Sequence, residues 1–142
     1  QSYFFLSHHD CLGHAAHRLE TIIEGEPNLQ AESYYYLGST LPHFHYFILY
    51  FRHIGIDAAP LEHFMDELTA WHEESIDRLA NGEEINVTQK EAAVHYLEIL
   101  RELEESVTSI MEEYDQDRLY SGVVSRDEVL LKRLEDLIDT AD

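Results

Sequence analysis

The chain has little positive charge, and this shortage limits the partners that it can have. Lysine and arginine together number 9 against 29 aspartates and glutamates, which gives a formal net charge of −20 over 142 residues. A chain with this charge repels phosphate backbones and anionic membrane surfaces. We therefore expect neither a nucleic-acid partner nor a membrane partner.

Cysteine and long apolar runs are also scarce. The single cysteine, Cys11, cannot form a disulfide within the chain, and one cysteine excludes the Cys-pair spacing of zinc fingers. The longest apolar candidate, residues 44–51, is shorter than the roughly 18 residues that a membrane-spanning helix needs. We expect a cytoplasmic protein in which residues 1–142 form one helical domain around a single core.

Several motifs of known chemistry are missing from the sequence. No histidine has a glutamate three residues before it, which excludes the Glu-x-x-His pairs of ferritin-like bundles. The sequence also has no glycine-rich phosphate loop and no serine nucleophile elbow. It therefore identifies no reaction and no small-molecule ligand, and whether the protein is an enzyme stays open.

What the sequence does contain is helical periodicity along nearly its whole length. Apolar residues recur at helical spacing in five segments, and no strand-like alternation competes with them. The first predicted helix ends near Gly25, the next three cover about 31–54, 61–79 and 88–111, and the fifth begins near Ser125. Short loops make sequential helices antiparallel neighbours. We therefore predict an all-α fold: an antiparallel four-helix bundle with an additional C-terminal helix.

Local signals refine this helical prediction. The second helix is expected to be kinked near Gly38 and Pro42, or to be a short helix followed by a longer one. Two capping boxes are predicted, because a Ser or Thr followed three residues later by Glu is typical of a helix start. They are Thr88 with Glu91 for the fourth helix and Ser125 with Glu128 for the fifth.

Ten histidines are present, and their helical positions divide them into inward and outward groups. At about 100° per residue, several fall on or beside the apolar side of their helix. When four helices alternate in direction, three of these histidines lie near one level, and Glu104 lies roughly 8 Å below them. The inward set from the four helices is His8 or His9, His45, His72 and Glu104.

Inward histidine and carboxylate ligands on facing helices are how helical bundles hold metal ions. Neutral imidazole together with carboxylate suits both zinc and non-haem iron. The first functional hypothesis is therefore a metal-binding helical protein, either a small metal-dependent enzyme or a sensor. The alternative for each histidine is a hydrogen-bonded core residue without a ligand role. The predicted ligands of a divalent metal ion, zinc or iron, are His8, His9, His45, His72 and Glu104.

An outward row on the first helix consists of Asp10, His14 and His17. The simplest interpretation is a solvated face. Two alternatives remain open: a metal or proton-sensitive site at a subunit contact, and a phosphate-accepting histidine, because the neighbours of His14 and His17 are small or basic. The acidic surroundings disfavour phosphate transfer.

The competing functional hypothesis is a non-catalytic regulatory or interaction module. The second predicted helix is apolar nearly all round, and the fifth has an apolar stripe that includes Leu130, Leu134 and Leu137. If the bundle leaves this stripe open, a second copy of the chain must cover it. We therefore expect a homo-oligomer, specifically a homodimer joined through the second and fifth helices.

Overall fold

The computed structural model describes residues 9–119 and 121–142, and this part of the chain is helical without a strand. The prediction of an all-α fold is confirmed. A 3-10 turn covers Gln116–Leu119. The α-helices are α1 (Cys11–Glu24), α2 (Pro27–Thr40), α3 (His43–His53), α4 (Ala59–Ala80), α5 (Val87–Glu113), α6 (Ser121–Val124) and α7 (Glu128–Asp139).

The segment predicted as one kinked helix, or as a short helix followed by a longer one, consists of two helices, of which the first is the longer, with 14 residues against 11. α2 ends at Thr40 and α3 begins at His43, so that Leu41 and Pro42 separate them. Proline has no backbone N–H, and at a helix start no intrahelical partner is lost by its absence. Pro27 stands in the first turn of α2 for the same reason. The four-helix bundle with a kinked second helix is therefore not confirmed in its predicted form.

Residues other than the predicted ones cap α5 and α7. The Asn86 side chain accepts a hydrogen bond from the Gln89 N–H at 2.9 Å, and Gln89 Oε1 accepts one from the Asn86 N–H at 3.0 Å. Asp127 caps α7 by accepting a backbone N–H of its first turn at 3.1 Å. The predicted caps Thr88 and Ser125 are wrong. Asn86 and Asp127 have the extended backbone of a capping residue, whereas Thr88 already lies within the first turn.

The core forms where α1 and α4 meet their neighbours. α1 packs against α2 and α5, and its small residues Ala15 and Ala16 are fully buried there. α4 contacts α2, α3, α5 and α7. Full burial of one Phe or Leu side chain stabilises the fold by about 1.5–3 kcal/mol. The largest fully buried aromatic residues in this core are Tyr34, Phe44, Phe47, Phe51 and Phe64.

The apolar stripe of α7 is covered within the chain. Leu130 and Leu134 are fully buried, and Leu137 and Ile138 are only 2% exposed. The covering surface comes from α4 and α5, against which α7 packs. The stripe that suggested α7 as a dimer contact therefore needs no second copy. The homodimer itself stays a prediction.

The longest helix, α5, has 27 residues, which is more than a membrane span requires. Its exposed positions, however, carry a series of glutamates. Across the two described ranges, no helix is both long enough and apolar enough to cross a membrane. The exposed glutamates of α5 include Glu91, Glu98, Glu102 and Glu105.

Candidate functional site

The structure separates the predicted metal ligands into two pairs. His9 and Glu104 line a groove between α5 and the start of α1, whereas His45 and His72 line a different groove between α3 and α4. The cause is the packing: α3 contacts α4, while α1 contacts α2 and α5. His8 lies outside the described residues. The four predicted ligands that are described therefore do not form one common site.

In the first groove, of about 350 Å³, Glu104 is already paired with an arginine. Arg101 donates from Nη1 to Glu104 Oε1 at 3.0 Å and from Nη2 to Glu20 Oε2 at 3.1 Å, which links α5 to α1. The Glu20 hydrogen bond is the main reason that the pKa of Arg101 is raised. The other Glu104 oxygen lies so close to Gly13 that a Cβ there would collide with it. A carboxylate held by a guanidinium is a poor candidate for a metal ligand.

The second groove, between α3 and α4, is larger, with a volume of about 610 Å³. Residues spaced three or four apart on each helix face it, as expected for one helix face. Arg52 forms an ion pair with Glu62 across the groove, which joins the two helices. The charged and imidazole side chains that line it are His45, Arg52, Glu62, Asp66, His72 and Glu73.

His72 is held in a defined orientation within this groove. Its Nε2 lies 2.8 Å from the carbonyl oxygen of Tyr34. A carbonyl oxygen only accepts, so Nε2 carries a proton, and in the neutral tautomer that fits this bond the lone pair is on Nδ1. The ring lies against Gly38, where a Cβ would be only 2.9 Å from His72 Cε1. Metal-binding histidines are commonly oriented by the same kind of bond from the other ring nitrogen.

No metal site is assembled in advance around His72. Among residues 9–119 and 121–142, no three His, Cys, Asp or Glu side chains are close enough to hold an ion together. His45 and Asp66 are both exposed, and exposed side chains change rotamer within nanoseconds. A metal in this groove would therefore have to draw His45 and Asp66 toward His72. Zinc or iron binding stays a prediction.

The outward row and the cysteine of α1 occupy different environments. His14 and His17 are exposed, as predicted for an outward face, and the role of the row stays open. Cys11 is only 3% exposed, and burial is the main cause that raises the pKa of its thiol to about 12. The thiolate is the reactive form of cysteine, so a buried, protonated thiol is a poor nucleophile at neutral pH. Cys11 therefore acts as a small apolar residue of the core.

The carboxylates of the α3–α4 groove were not among the site residues predicted from the sequence. Glu62, Asp66 and Glu73 follow one face of α4 at spacings of four and seven, a signal that the sequence does contain. The same spacing is expected of any solvated helix face in a chain with 29 acidic residues. Only the position of α3 shows that this face borders a groove with two histidines.

The candidate functional site is the groove between α3 and α4, and it is identified from the side chains that line it. Of the two grooves that hold predicted ligands, the one between α3 and α4 has the larger volume and the oriented imidazole of His72. Known proteins give no match to this chain: no protein-family model, no curated protein and no solved structure is significantly similar to it.

Proposed function

We propose that the protein binds a divalent metal ion, zinc or iron, in the groove between α3 and α4. The observation that carries the proposal is the orientation of His72, whose Nε2 donates to the Tyr34 carbonyl and whose Nδ1 keeps its lone pair. His45 and Asp66 line the same groove. Two imidazoles and one carboxylate are a ligand set that suits both metals.

The charge of the groove supports a cationic ligand. Glu62, Asp66 and Glu73 contribute three carboxylates, and Arg52 pairs with only one of them. The net charge of −20 for the whole chain adds to the attraction of a cation.

The affinity is expected to be modest, because the ligands must be ordered by the ion. Fixing an exposed side chain such as His45 or Asp66 costs about 0.5–1.5 kcal/mol each. Three protein ligands would leave a coordination position for water, as in catalytic zinc sites. Such a site would suit a small metal-dependent enzyme or a metal sensor. We favour the sensor, because drawing His45 toward His72 would change the contact between α3 and α4.

Zinc titration of the chelator-treated protein, followed by calorimetry, tests the proposal. We expect one zinc ion per chain, and His72→Ala is expected to weaken binding by about tenfold or more. His63→Ala is the matched control, because His63 lies on the same helix, is 75% exposed and pairs with Glu67 outside this groove. The absence of stoichiometric zinc and iron(II) binding, or equal affinities of the two variants, would contradict the proposal.

A second candidate is the homodimerising interaction module, which exposed aromatic residues on α2 and α3 favour. Tyr35, Tyr36 and Tyr46 are 69%, 44% and 51% exposed. Tyrosine is enriched at protein interfaces. Light scattering at micromolar concentration tests this second candidate, and a monomer would eliminate it. The module requires a dimer with or without metal, whereas the metal proposal is compatible with a monomer.

A further inference from the structure

Another groove, between α4 and α5, has a lining of a different chemical character. Its volume is about 360 Å³, and the residues that line it include the aromatic residues Trp71 and Tyr96 and the acidic residues Glu67 and Glu74. None of its described lining residues carries a positive charge, and none of the predicted metal ligands is among them. The combination of aromatic rings and carboxylates favours a ligand that is both apolar and cationic.

The two rings lie at a steep angle to each other, and Trp71, which also stacks against Tyr34, is only 5% exposed. The centroids of Trp71 and Tyr96 are 6.4 Å apart, and the ring planes meet at 76°. The indole Nε1–H of Trp71 donates to the carbonyl oxygen of Gln89 at 2.9 Å, which fixes its orientation. Tyr96 also packs against Phe64 with a centroid distance of 6.0 Å. Aromatic rings are the usual surroundings of quaternary ammonium groups.

Glu67 and Glu74 give the groove its negative charge. They lie one helical turn to either side of Trp71 on α4, at spacings of four and three residues. Burial, with a smaller contribution from the Glu67 charge, raises the pKa of Tyr96. A cation against the rings would be stabilised by Glu74 and also by Glu67, whose Oε1 lies 3.1 Å from His63 Nε2, and an anion would be repelled by both carboxylates.

A buried amide donor adds a polar requirement to the ligand. Gln89 lines the groove and is only 5% exposed. Its Oε1 accepts the Asn86 N–H, but its Nε2 has no hydrogen-bond partner in the described part of the chain. Leaving such a donor unpaired costs about 1–3 kcal/mol. A ligand hydroxyl can accept this hydrogen bond without adding a negative charge.

We propose that the α4–α5 groove binds a small organic ammonium solute that carries a hydroxyl group. The methylated ammonium lies against Trp71 and Tyr96 between Glu67 and Glu74, and the hydroxyl accepts from Gln89 Nε2. The two glutamates and the net charge of −20 disfavour phosphate-bearing forms such as a lipid headgroup. This site shares no residue with the α3–α4 groove, so it is independent of the metal proposal.

Fluorescence titration of the intact chain tests the proposal directly, because Trp71 is the only tryptophan. Choline is expected to change this fluorescence saturably in the millimolar range. The neutral control is dimethylbutanol, in which carbon replaces the ammonium nitrogen of choline. We expect it to bind more weakly than choline by at least about tenfold. Tetramethylammonium, which lacks the hydroxyl, and phosphocholine are both expected to bind more weakly than choline.

Two variants on α4 provide a matched pair for this titration. Glu74→Gln removes a charge of the α4–α5 groove, and we expect it to weaken choline binding by roughly threefold to tenfold. Glu73→Gln removes the neighbouring charge, which lines the α3–α4 groove, and it is expected to leave choline binding unchanged.

No saturable change, equal binding of dimethylbutanol, or equal effects of the two variants would overturn the proposal. Equal binding of choline and tetramethylammonium would overturn the role of Gln89, and tighter binding of phosphocholine would overturn the choice of a free solute.

Discussion

The orientation of His72 depends on the absence of a side chain on the neighbouring helix. Gly38 lies on α2 beneath the imidazole, and a Cβ there would be 2.9 Å from Cε1 and 3.2 Å from Nε2 of His72. Both distances are shorter than an ordinary van der Waals contact. Any larger residue must therefore push the ring away from the Tyr34 carbonyl, to which Nε2 is bonded at 2.8 Å.

Replacing this glycine tests the contact. We expect Gly38→Ala to lower the free energy of unfolding by about 1 kcal/mol, because an overpacking cost of about 1–3 kcal/mol exceeds the helix-propensity gain of about 1 kcal/mol. Gly13→Ala is the comparison: its Cβ meets the end of the Glu104 side chain, which is 39% exposed and can move aside by loosening its ion pair with Arg101, so that the helix-propensity gain and the loss of a surface ion pair largely offset each other. It should stay within about 0.5 kcal/mol of the parent protein in urea unfolding. Equal stability of the two variants would contradict the steric argument.

For single residues, the sequence predicted the helix face of a side chain better than its burial. His45 was placed on the side of Leu41 and Ile48, and all three residues do line one groove. Its depth was predicted wrongly, because His45 is exposed. The hydrogen-bond partner of His72 could not be predicted, because it is the backbone carbonyl of Tyr34 and every residue has such a carbonyl.

Helix positions followed from periodicity, whereas helix ends depended on local hydrogen bonds. The five predicted segments coincide with α1, α2 together with α3, α4, α5 and α7. The capping boxes were predicted one turn or less away from their true positions, because several polar residues at a helix start compete for the same N–H groups. Asn86 succeeds at α5 because Gln89 returns a second hydrogen bond.

Two alanine substitutions at the start of α5 distinguish the predicted cap from the observed one. Asn86→Ala removes the side chain that accepts the Gln89 N–H, and we expect it to lower the free energy of unfolding by about 1 kcal/mol. Thr88→Ala lies within the first turn and is expected to change stability by less than about 0.5 kcal/mol. Chemical denaturation of both variants measures the difference. A larger loss for Thr88→Ala than for Asn86→Ala would restore the cap that the sequence suggested.

The molecule as a whole buries several side chains that ionise only in alkali. Burial raises the pKa of the Cys11 thiol from 9.0 to about 12 and that of the Tyr34 hydroxyl from 10.0 to about 12. Burial also raises the pKa of Tyr50, whose hydroxyl donates to the Leu119 carbonyl at 2.9 Å. The folded chain therefore holds these protons to higher pH than the unfolded chain does.

This difference predicts a loss of stability in alkali and not in mild acid. Below the unfolded pKa values both states keep their protons, so these groups leave stability unchanged. The unfolded state releases its protons first, from the Cys11 thiol above about pH 9 and from the tyrosine hydroxyls above about pH 10. Each group then lowers the free energy of unfolding by about 1.4 kcal/mol per pH unit until the pH reaches its folded-state pKa. Urea unfolding between pH 7 and 11, followed by Trp71 fluorescence, should show the decline. In Cys11→Ala the decline is expected to begin about one pH unit higher, and an unchanged onset would contradict the assignment.

The way in which the helices pack together was the part least accessible from the sequence. An apolar stripe shows that a helix face is covered but not which surface covers it. The stripe of α7 suggested a second copy, whereas α4 and α5 of the same chain cover it. His9 and His45 were likewise placed in one site, because their heights agreed in an idealised bundle that α2 and α3 do not follow.

The burial of α7 has a consequence for how the chain is made. α4 and α5 are synthesised before α7. The surface that Leu130, Leu134 and Leu137 cover in the native state is then still exposed to solvent. Until α7 emerges, the nascent chain exposes an apolar strip that can bind other apolar surfaces. Completion of the native state is thus postponed until translation has passed Asp139, and a ribosome that stalls before that point would hold a chain prone to aggregation.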